Sequence, residues 1–364
     1  MVGLKDVGRL AGVSVSTVSR VLTRSSLVND VTRERVQRAI DALGYQPNRV
    51  ARRLLRKDAA RGNLIGLVVP DIENPFFADI VRGVEDVARQ RDYVLFLGNS
   101  DEDAQRETRY LDLMRAESVD GLILPASSDV EPVVARFVAA GIPIVCVDRR
   151  MPGLDVDTVV ADNVRGAYDA VVHLLDVGHR RIGFVGGRPD LSTSRERFDG
   201  YVRALASFDV PLDEGLVRNG DSRQESGRRL TRELLALRRP PTALLVGNNL
   251  MTLGALEAIH LERRRIPDDV AVIGYDDMPW ALALNPPLTA VRQPGYEMGR
   301  CAAELLLRRI HEPTRPAAVV TLDPQLVVRQ SCGARQPAAV SATAVSAAAR
   351  LAVTAVSAIT LVAM

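Results

Sequence analysis

Residues 4–22, LKDVGRLAGVSVSTVSRVL, read as two short helices joined by a tight turn at 11–13. Gly12 suits this turn because a residue without a Cβ can adopt positive φ. Ser14 follows it and can accept hydrogen bonds from the free N–H groups that open the second helix. The apolar residues recur at helical spacing, so we expect each helix to bury one face. They are Val7, Leu10, Val13, Val18 and Leu22.

The second helix keeps a polar face away from the apolar side. Val15, Ser16 and Arg20 lie on that face, and Ser16 and Arg20 are one turn apart. A short helix that presents small groups and one Arg has the geometry that reads base edges in a major groove. The pattern therefore indicates a helix-turn-helix DNA reader. An ordinary helical hairpin is the alternative at this length.

A third helix is predicted directly after the first two. Asn29 is its expected N-cap and Gly44 its C′ residue. The apolar stripe between them has i, i+3, i+4, i+7 spacing and consists of Val36, Ala39, Ile40 and Leu43. Three short helices can close a small core, which favours a folded headpiece over an isolated hairpin.

The charge of the chain is divided unevenly. Residues 1–61 carry 13 Lys or Arg against 5 Asp or Glu, a net charge of +8. The whole chain has a net charge of +2, so the rest carries about −6. This asymmetry indicates a polyanionic partner for the first segment, with a solvated basic face as the alternative.

A short basic segment, YQPNRVARRLLRK at 45–57, follows the third helix. Pro47 ends one element, and Asn48 can cap a brief helix that runs to about Arg56. Such a helix is too short to be stable alone in water. It can fold on DNA with Leu54 or Leu55 wedged between base steps of the minor groove. A plain solvated linker is the alternative reading of its composition.

Strands and helices alternate from Leu64 onward. The first strand, LIGLVV, is a continuous apolar run typical of a strand buried on both faces. Further strands are predicted at 93–97, 120–124, 143–147, 157–161, 181–186, 242–247 and 270–275. Helices are predicted from Phe77 and near 103–116, 129–140, 163–177, 194–207, 224–236, 249–261 and 294–309, those from 163 onward forming a second series. Repeated βα units imply parallel sheets, and the number of strands indicates two lobes with a ligand cleft at their carboxyl ends.

Several classes of protein are disfavoured. No nucleophile elbow, phosphate loop or dinucleotide fingerprint occurs, and the four histidines show no metal spacing, so neither an enzyme nor a cofactor is indicated. The three cysteines form no C-x-x-C pair. No charged and apolar leader precedes Leu4 and no apolar run reaches the length of a membrane span, so we expect a cytoplasmic protein with no membrane partner.

With these elements in order, the chain resembles the lactose-repressor and galactose-repressor family of transcriptional regulators from about Leu4 to Arg329. The motifs are KDVGRLAGVSVSTVSRVL, YQPNRVARRL, IGLVVPDIENPFF, DGLILPA, GHRRIGFVGG, PTALLVGNN and VIGYDDMPW. The resemblance implies an all-α helix-turn-helix headpiece and an α/β two-lobed effector domain of the periplasmic-binding-protein type (type I). We therefore expect a DNA-binding domain at 1–46, a hinge helix and linker at 47–61 and a body at 62–330. The resemblance does not cover residues 331–364, whose Ala, Val, Ser and Thr composition indicates a disordered tail, with a weak helix or an oligomerisation extension as alternatives.

The resemblance also implies partners and a mechanism. It implies a homodimer on pseudo-palindromic double-stranded operator DNA at the nucleoid, and the tail leaves a tetramer open. The effector is expected to be a small molecule such as a sugar or a nucleoside, with a sugar favoured, and to change operator affinity by closing the lobes. A sugar-binding receptor with the same body and no regulatory role is the alternative.

Individual residues carry over from the family motifs. For DNA binding they are Val15, Ser16 and Arg20 at base-contacting positions, Thr17 and Ser19 as phosphate or base contacts, Asn48, Arg49 and Arg52 in the hinge, and Leu54 as the minor-groove lever. For the effector they are Asp71, Phe76, Phe77, Asp148, Asp162, Arg197, Asn248 and Asp276. The chain departs from the family at Gly8, Thr23, Ser222 and Asn249, which leaves the identity of the effector open.

Overall fold

The computed structural model describes residues 2–22, 28–45, 63–125, 130–151 and 153–333. The hinge predicted at 47–61 lies outside these ranges, as does the predicted tail from residue 334. Ser331 and Cys332, which the sequence assigned to the tail, are buried in the body. The Ser331 hydroxyl donates to the Val272 carbonyl at 2.7 Å. The body therefore extends at least to Gly333.

The headpiece consists of α1 (Leu4–Ala11), α2 (Val15–Leu22) and α3 (Asp30–Leu43). The predicted caps are present. Gly12 has φ +63° and Gly44 φ +58°, and the Asn29 side chain accepts from the Thr32 N–H at 2.9 Å. The three helices enclose a small core that includes Val7, Val18 and Val36.

The prediction that Leu10 lies on the buried face of its helix was wrong, because its side chain is 56% exposed. Successive helical residues are rotated by about 100°. Val7, Gly8 and Ala11 share the buried side of α1, and Leu10 projects roughly 110° from the centre of that side. On α2, Val21 is buried instead and completes the core with Val18.

The first lobe is a six-stranded, all-parallel sheet with helices on both faces. Its strands are β1 (Leu64–Val69), β2 (Val94–Asn99), β3 (Gly121–Leu124), β4 (Ile144–Val147), β5 (Asp157–Ala161) and β11 (Val319–Leu322), in the order β11-β5-β4-β3-β1-β2. Helices α4 (Pro75–Gln90) and α11 (Gly295–His311) cover one face. Helices α5 (Ala104–Ala116) and α6 (Glu131–Ala139) cover the other.

The second lobe repeats this plan. Its strands are β6 (Ile182–Gly186), β7 (Val217–Asn219), β8 (Ala243–Val246), β9 (Ala271–Tyr275), β10 (Thr289–Arg292) and β12 (Gln325–Val327), in the order β12-β10-β9-β8-β6-β7. Only β12 is antiparallel to its neighbour in this sheet. Helices α7 (Asn163–Asp176) and α8 (Ser192–Ser207) pack on one face, and α9 (Gln224–Leu235) and α10 (Asn249–Leu261) on the other.

The backbone passes between the lobes three times: after β5, after β10 and between β11 and β12. The sequence placed the helix near 294–309 in the second series, but α11 packs against α4 in the first lobe. The reason is that its apolar residues fit the face of the first sheet, where Met298, Ala302 and Leu306 are fully buried. Strands β7, β10, β11 and β12, which have three or four residues each, were not predicted.

Glycines allow the helix pairs to cross closely. A Cβ on Gly254 of α10 would lie 2.0 Å from the Gln224 carbonyl oxygen of α9. A Cβ on Gly83 of α4 would lie 2.1 Å from the Tyr296 carbonyl oxygen of α11. Backbone atoms, which cannot move aside as a flexible side chain can, therefore fix the spacing of both pairs.

We expect Gly254→Ala to lower the free energy of unfolding by about 2–3 kcal/mol, because overpacking outweighs the roughly 1 kcal/mol that Ala gains in helix propensity. Urea denaturation of the full chain measures this change. His260→Ala, at an exposed position of the same helix, is the control and should change stability by less than about 0.5 kcal/mol. A stable Gly254→Ala protein would show that the helices can separate without cost.

Candidate functional site

The exposed face of α2 carries the predicted base-contacting residues. Val15 is 41% exposed, and Ser16 and Arg20 are also exposed. The Ser14 hydroxyl accepts from the Thr17 N–H at 3.2 Å and lies 2.8 Å from the Ser16 hydroxyl. This arrangement caps the helix and orients its first turn.

Thr17 and Ser19 are half-buried rather than fully presented. The Thr17 hydroxyl is hydrogen-bonded to the Ser14 hydroxyl at 2.9 Å. The four predicted hinge residues, Asn48, Arg49, Arg52 and Leu54, lie outside the described residues. The described DNA-reading candidates are therefore those of α2.

A cleft opens between the carboxyl ends of the two sheets, as the βα pattern predicted. Its space, counted out to its open mouth, is about 660 Å³. Seven of the eight predicted effector residues line it: Asp71, Phe76, Phe77, Asp148, Arg197, Asn248 and Asp276. Phe76 and Phe77 pack edge to face with ring centroids 5.1 Å apart and form an apolar wall.

The eighth predicted residue, Asp162, has a capping position. Its carboxylate accepts from the Arg165 N–H at 2.9 Å at the start of α7, and its own N–H donates to the Leu322 carbonyl at 3.0 Å. Asp162 is not among the side chains that line the cleft.

Asp148 and Asp276 occupy equivalent positions in the two lobes. Asp148 follows β4 and Asp276 follows β9, and each strand is third in the order of its own sheet. Both residues have left-handed backbones, with φ of 68° and 69°. Their N–H groups donate to the carbonyls of Val159 and Val291, which belong to the neighbouring strands. The paired strand ends thus hold two carboxylates that face one cleft from opposite lobes.

Burial dominates the electrostatics of this carboxylate pair. Desolvation raises the pKa of Asp148 to about 6, although nearby Arg149 and Arg197 lower it. Desolvation also raises the pKa of Asp276, against the effect of Arg197 and a hydrogen bond from Gln293. Burial therefore makes the ionised forms of both carboxylates costly.

Arg197 is held rigidly in the cleft. Its Nε donates to the Asn163 Oδ1 at 2.8 Å, and one terminal nitrogen donates to the Gly247 carbonyl at 2.6 Å. The guanidinium lies over the Tyr275 ring, 3.9 Å from its centroid. Three contacts thus fix the direction of the charge before any ligand binds.

The sequence missed several cleft residues. Arg149 forms a two-pronged ion pair with Glu102, at 3.0 and 2.5 Å. Gln293 donates to Asp276 at 2.6 Å. The positions of Arg149, next to Asp148, and of Gln293, after a strand, were the only signals available. Glu102 comes from a loop whose approach depends on the strand order.

Polar contacts bridge the lobes across the cleft. Arg223 pairs with Asp101 at 2.9 Å, and the Asn249 amide donates to the buried Asn74 side chain at 2.6 Å. The family departure at Asn249 therefore lies on an inter-lobe bond. A carboxylate at that position could not donate to Asn74.

In the described part of the chain, no three His, Cys, Asp or Glu side chains are grouped as a metal site requires. None of its helices combines the length and the apolar character that crossing a membrane requires.

Two family models match the chain. Residues 3–48 match the model described as bacterial regulatory proteins, lacI family. Residues 171–332 match the periplasmic binding protein-like domain. The first match covers the headpiece and the second covers most of the second lobe.

Curated relatives match over most of the chain. The HTH-type transcriptional repressor PurR of Aliivibrio salmonicida (strain LFI1238) is 33% identical over 91% of this chain and 99% of the relative. The HTH-type transcriptional repressor CytR of Escherichia coli (strain K12) is 34% identical over 90% of this chain and 95% of the relative.

Solved structures of similar proteins also match the chain over most of its length. The complex of the transcriptional regulator CelR with cellobiose is 36% identical, with a TM-score of 0.69 over 91% of this chain and 100% of the other. The Lac repressor dimer bound to operator and the anti-inducer ONPF is 28% identical, with a TM-score of 0.79 over 92% of this chain and 99% of the other.

Proposed function

The chain belongs to the lacI family of bacterial regulatory proteins, and from that membership we propose that it represses transcription until a hydroxyl-rich small molecule binds between its lobes. It is a sequence-specific DNA-binding regulator with an effector-binding body. The curated relatives are transcriptional repressors. Our proposal accordingly assigns no catalytic step to the cleft and places the protein on the nucleoid in the cytoplasm.

The single observation that supports this proposal is that one chain carries both a candidate DNA-reading face and a candidate ligand cleft. An exposed Val15-Ser16-Arg20 face stands on α2, and a cleft lined by buried charges lies between two lobes. Val15 can contact a thymine methyl group, and Arg20 can bond the O6 and N7 of guanine. Ser16 can serve either a base edge or a phosphate.

The effector proposal rests on the chemistry of the cleft. Asp148 and Asp276 can accept hydrogen bonds from hydroxyl groups, while Arg197 presents fixed donors. The apolar wall of Phe76 and Phe77 can pack against a ring. Solved relatives are described with cellobiose and with ribose, and we extend that class of ligand to this chain.

Coupling between the sites follows from lobe closure. An effector that binds the closed cleft better than the open one shifts the population toward closure. In a dimer this shift changes how the two headpieces and hinges meet DNA. Such couplings are typically about 1–3 kcal/mol. In our proposal the effector is an inducer, so its binding lowers the affinity of the protein for operator DNA.

In our proposal the protein is a homodimer, and a second copy of the chain can cover apolar residues that are exposed on the body. Val94 and Leu97 on the edge strand β2, with Leu113 on the adjacent α5, are exposed in the first lobe. Leu261 and Leu282 are exposed in the second. An unpaired strand edge with apolar side chains is a surface that proteins usually cover.

The test is selection of DNA sequences by the full-length protein, followed by titration of the selected site with sugars and nucleosides. We expect a two-fold symmetric sequence and an effector that changes its affinity by roughly 5–150-fold. Binding with no preference over random DNA would overturn the proposal.

We expect Arg20→Ala to cost about 1–3 kcal/mol in affinity for the selected sequence and to relax the preference at one base pair of each half-site. Competition titrations against single-base variants of the site measure both effects. Arg38→Ala, an exposed headpiece position on α3, is the matched control for loss of charge alone. Unchanged discrimination in Arg20→Ala would remove Arg20 from base reading.

A further inference from the structure

The cleft holds more negative than positive charge. Among the described residues, six carboxylates line it, against the three guanidinium groups of Arg149, Arg197 and Arg223. Arg149 is paired with Glu102 and Arg223 with Asp101. Asp71, Asp221 and Asp276 then remain around Arg197, and Asp148, which lies 3.6 Å from Arg149, shares that guanidinium with Glu102. The net charge of this lining is therefore −3 when every group is ionised.

Two buried acceptors in the lining have no hydrogen-bond partner among the described residues. Asp148, 5% exposed, has an unpartnered Oδ1, and Gln293, 7% exposed, has an unpartnered Oε1. The orientation of the Gln293 amide is set because its nitrogen must donate to the Asp276 carboxylate. A buried acceptor without a donor is costly, and both side chains belong to the lining of the cleft.

One buried donor of the lining is also unpartnered. The Nε of Arg149 has no acceptor within hydrogen-bond distance in the described part of the chain, since the nearer Asp148 oxygen is 3.6 Å away. A matching ligand therefore brings several donors to the carboxylates and at least one oxygen to Arg149.

An ammonium group meets this requirement better than a hydroxyl. It carries three donors and no acceptor, whereas a hydroxyl brings one donor and two further lone pairs. It also adds positive charge where the lining has an excess of negative charge, and charge-assisted hydrogen bonds are about twice as strong as neutral ones.

We propose that the effector is an amino sugar, whose protonated amine binds Asp148 and whose oxygens accept from Arg149. This inference rests on the proposed function, because it names the ligand class of the same cleft. In this arrangement Asp148 binds the charged amine. Arg197 and Asp276 bind the vicinal hydroxyls of the sugar ring.

Matched sugars test the proposal. The full-length protein is titrated calorimetrically with glucosamine, galactosamine and mannosamine, with glucose, galactose and mannose, and with the three N-acetyl derivatives. We expect at least one amino sugar to bind about tenfold or more tightly than its hydroxyl and N-acetyl counterparts. Equal or tighter binding of a neutral counterpart, or no binding of any amine, overturns the inference.

A variant locates the amine. Asp148→Asn keeps the side-chain shape and tolerates positive φ, and we expect it to lose the preference for the amine. Asp92→Asn is the control, because Asp92 is also a left-handed Asp, with φ 59°, and does not line the cleft. A preference that survives Asp148→Asn places the amine elsewhere and overturns the assignment.

The pH dependence of binding gives a second readout that does not depend on a variant. The groups that act on the Asp148 carboxyl are Arg149, Arg197, Asp276 and Glu102. Its pKa is raised to about 6 by burial, so amino-sugar affinity should fall about tenfold from pH 7 to pH 5 as Asp148 becomes protonated. Equal affinity at both pH values contradicts a contact with the ionised carboxylate.

The inference and the proposed function can fail separately. A neutral sugar that binds best and changes operator affinity refutes the amine and keeps the switch. An amino sugar that binds without any effect on operator affinity keeps the ligand class and refutes the switch.

Discussion

Arg197→Ala is expected to lower the free energy of unfolding by about 3 kcal/mol at pH 7.5, because it removes a buried guanidinium that favours the ionised forms of Asp148 and Asp276 and leaves the groups bonded to it without a partner. The variant also loses the hydrogen bonds to Asn163 and to the Gly247 carbonyl and the contact with the Tyr275 ring. Chemical denaturation of the ligand-free protein measures the change. The effector response should be lost as well, since Arg197 lines the cleft.

The matched control is Arg203→Ala on the same helix. Arg203 forms an exposed i, i+4 pair with Asp199 at 2.7 Å, and such pairs contribute about 0.3–0.5 kcal/mol. The deficit of Arg197→Ala should also shrink at pH 5, because Asp148, whose pKa burial raises to about 6, is then largely protonated and carries no charge. Similar losses in the two variants, or a deficit that does not change with pH, would count against this role of the Arg197 guanidinium.

Asp148→Asn is expected to have the opposite effect and to stabilise the ligand-free protein by up to about 3 kcal/mol at pH 7.5. Burial raises the pKa of Asp148 from 3.8 to about 6. Between these values the native protein holds a proton that the unfolded chain has released. Stability therefore falls as the pH rises through this window, and the full penalty is present above it.

Unfolding curves of the wild type and Asp148→Asn from pH 4 to pH 8 measure this difference. The two proteins should converge near pH 4 and diverge toward pH 7.5, and Asp148→Asn should no longer respond to effector. Asp92→Asn, at an exposed left-handed position, should follow the wild type. A destabilised Asp148→Asn protein would mean that the ionised carboxylate supports the fold.

Much of the fold could be predicted because its signals are local. The apolar run of β1 and the caps at Ser14, Asn29 and Gly44 depend on neighbours within a few residues, and all were found where they were expected. The position of the cleft followed from a general property of parallel sheets, whose strand ends meet at one edge. Seven of the effector residues that the family resemblance implied line that cleft.

The rest depends on contacts that are distant in sequence. Helix α11 packs on the first lobe, where Ala302 lies in one core with strands that precede residue 162 in the sequence. The Arg149–Glu102 pair joins two loops 47 residues apart. Neither periodicity nor composition contains this information.

The three backbone passages between the lobes determine how this gene can be divided. A fragment that ends after residue 161 lacks β11 and α11, so it cannot complete its own sheet or cover it. An autonomous first lobe would require a splice that joins 63–161 to 295–322. The complementary polypeptide would carry the second lobe in two pieces, 162–294 and 323–333. Each half of the sensor is thus encoded discontinuously, and a truncation that removes the last forty residues of the described body damages both halves at once.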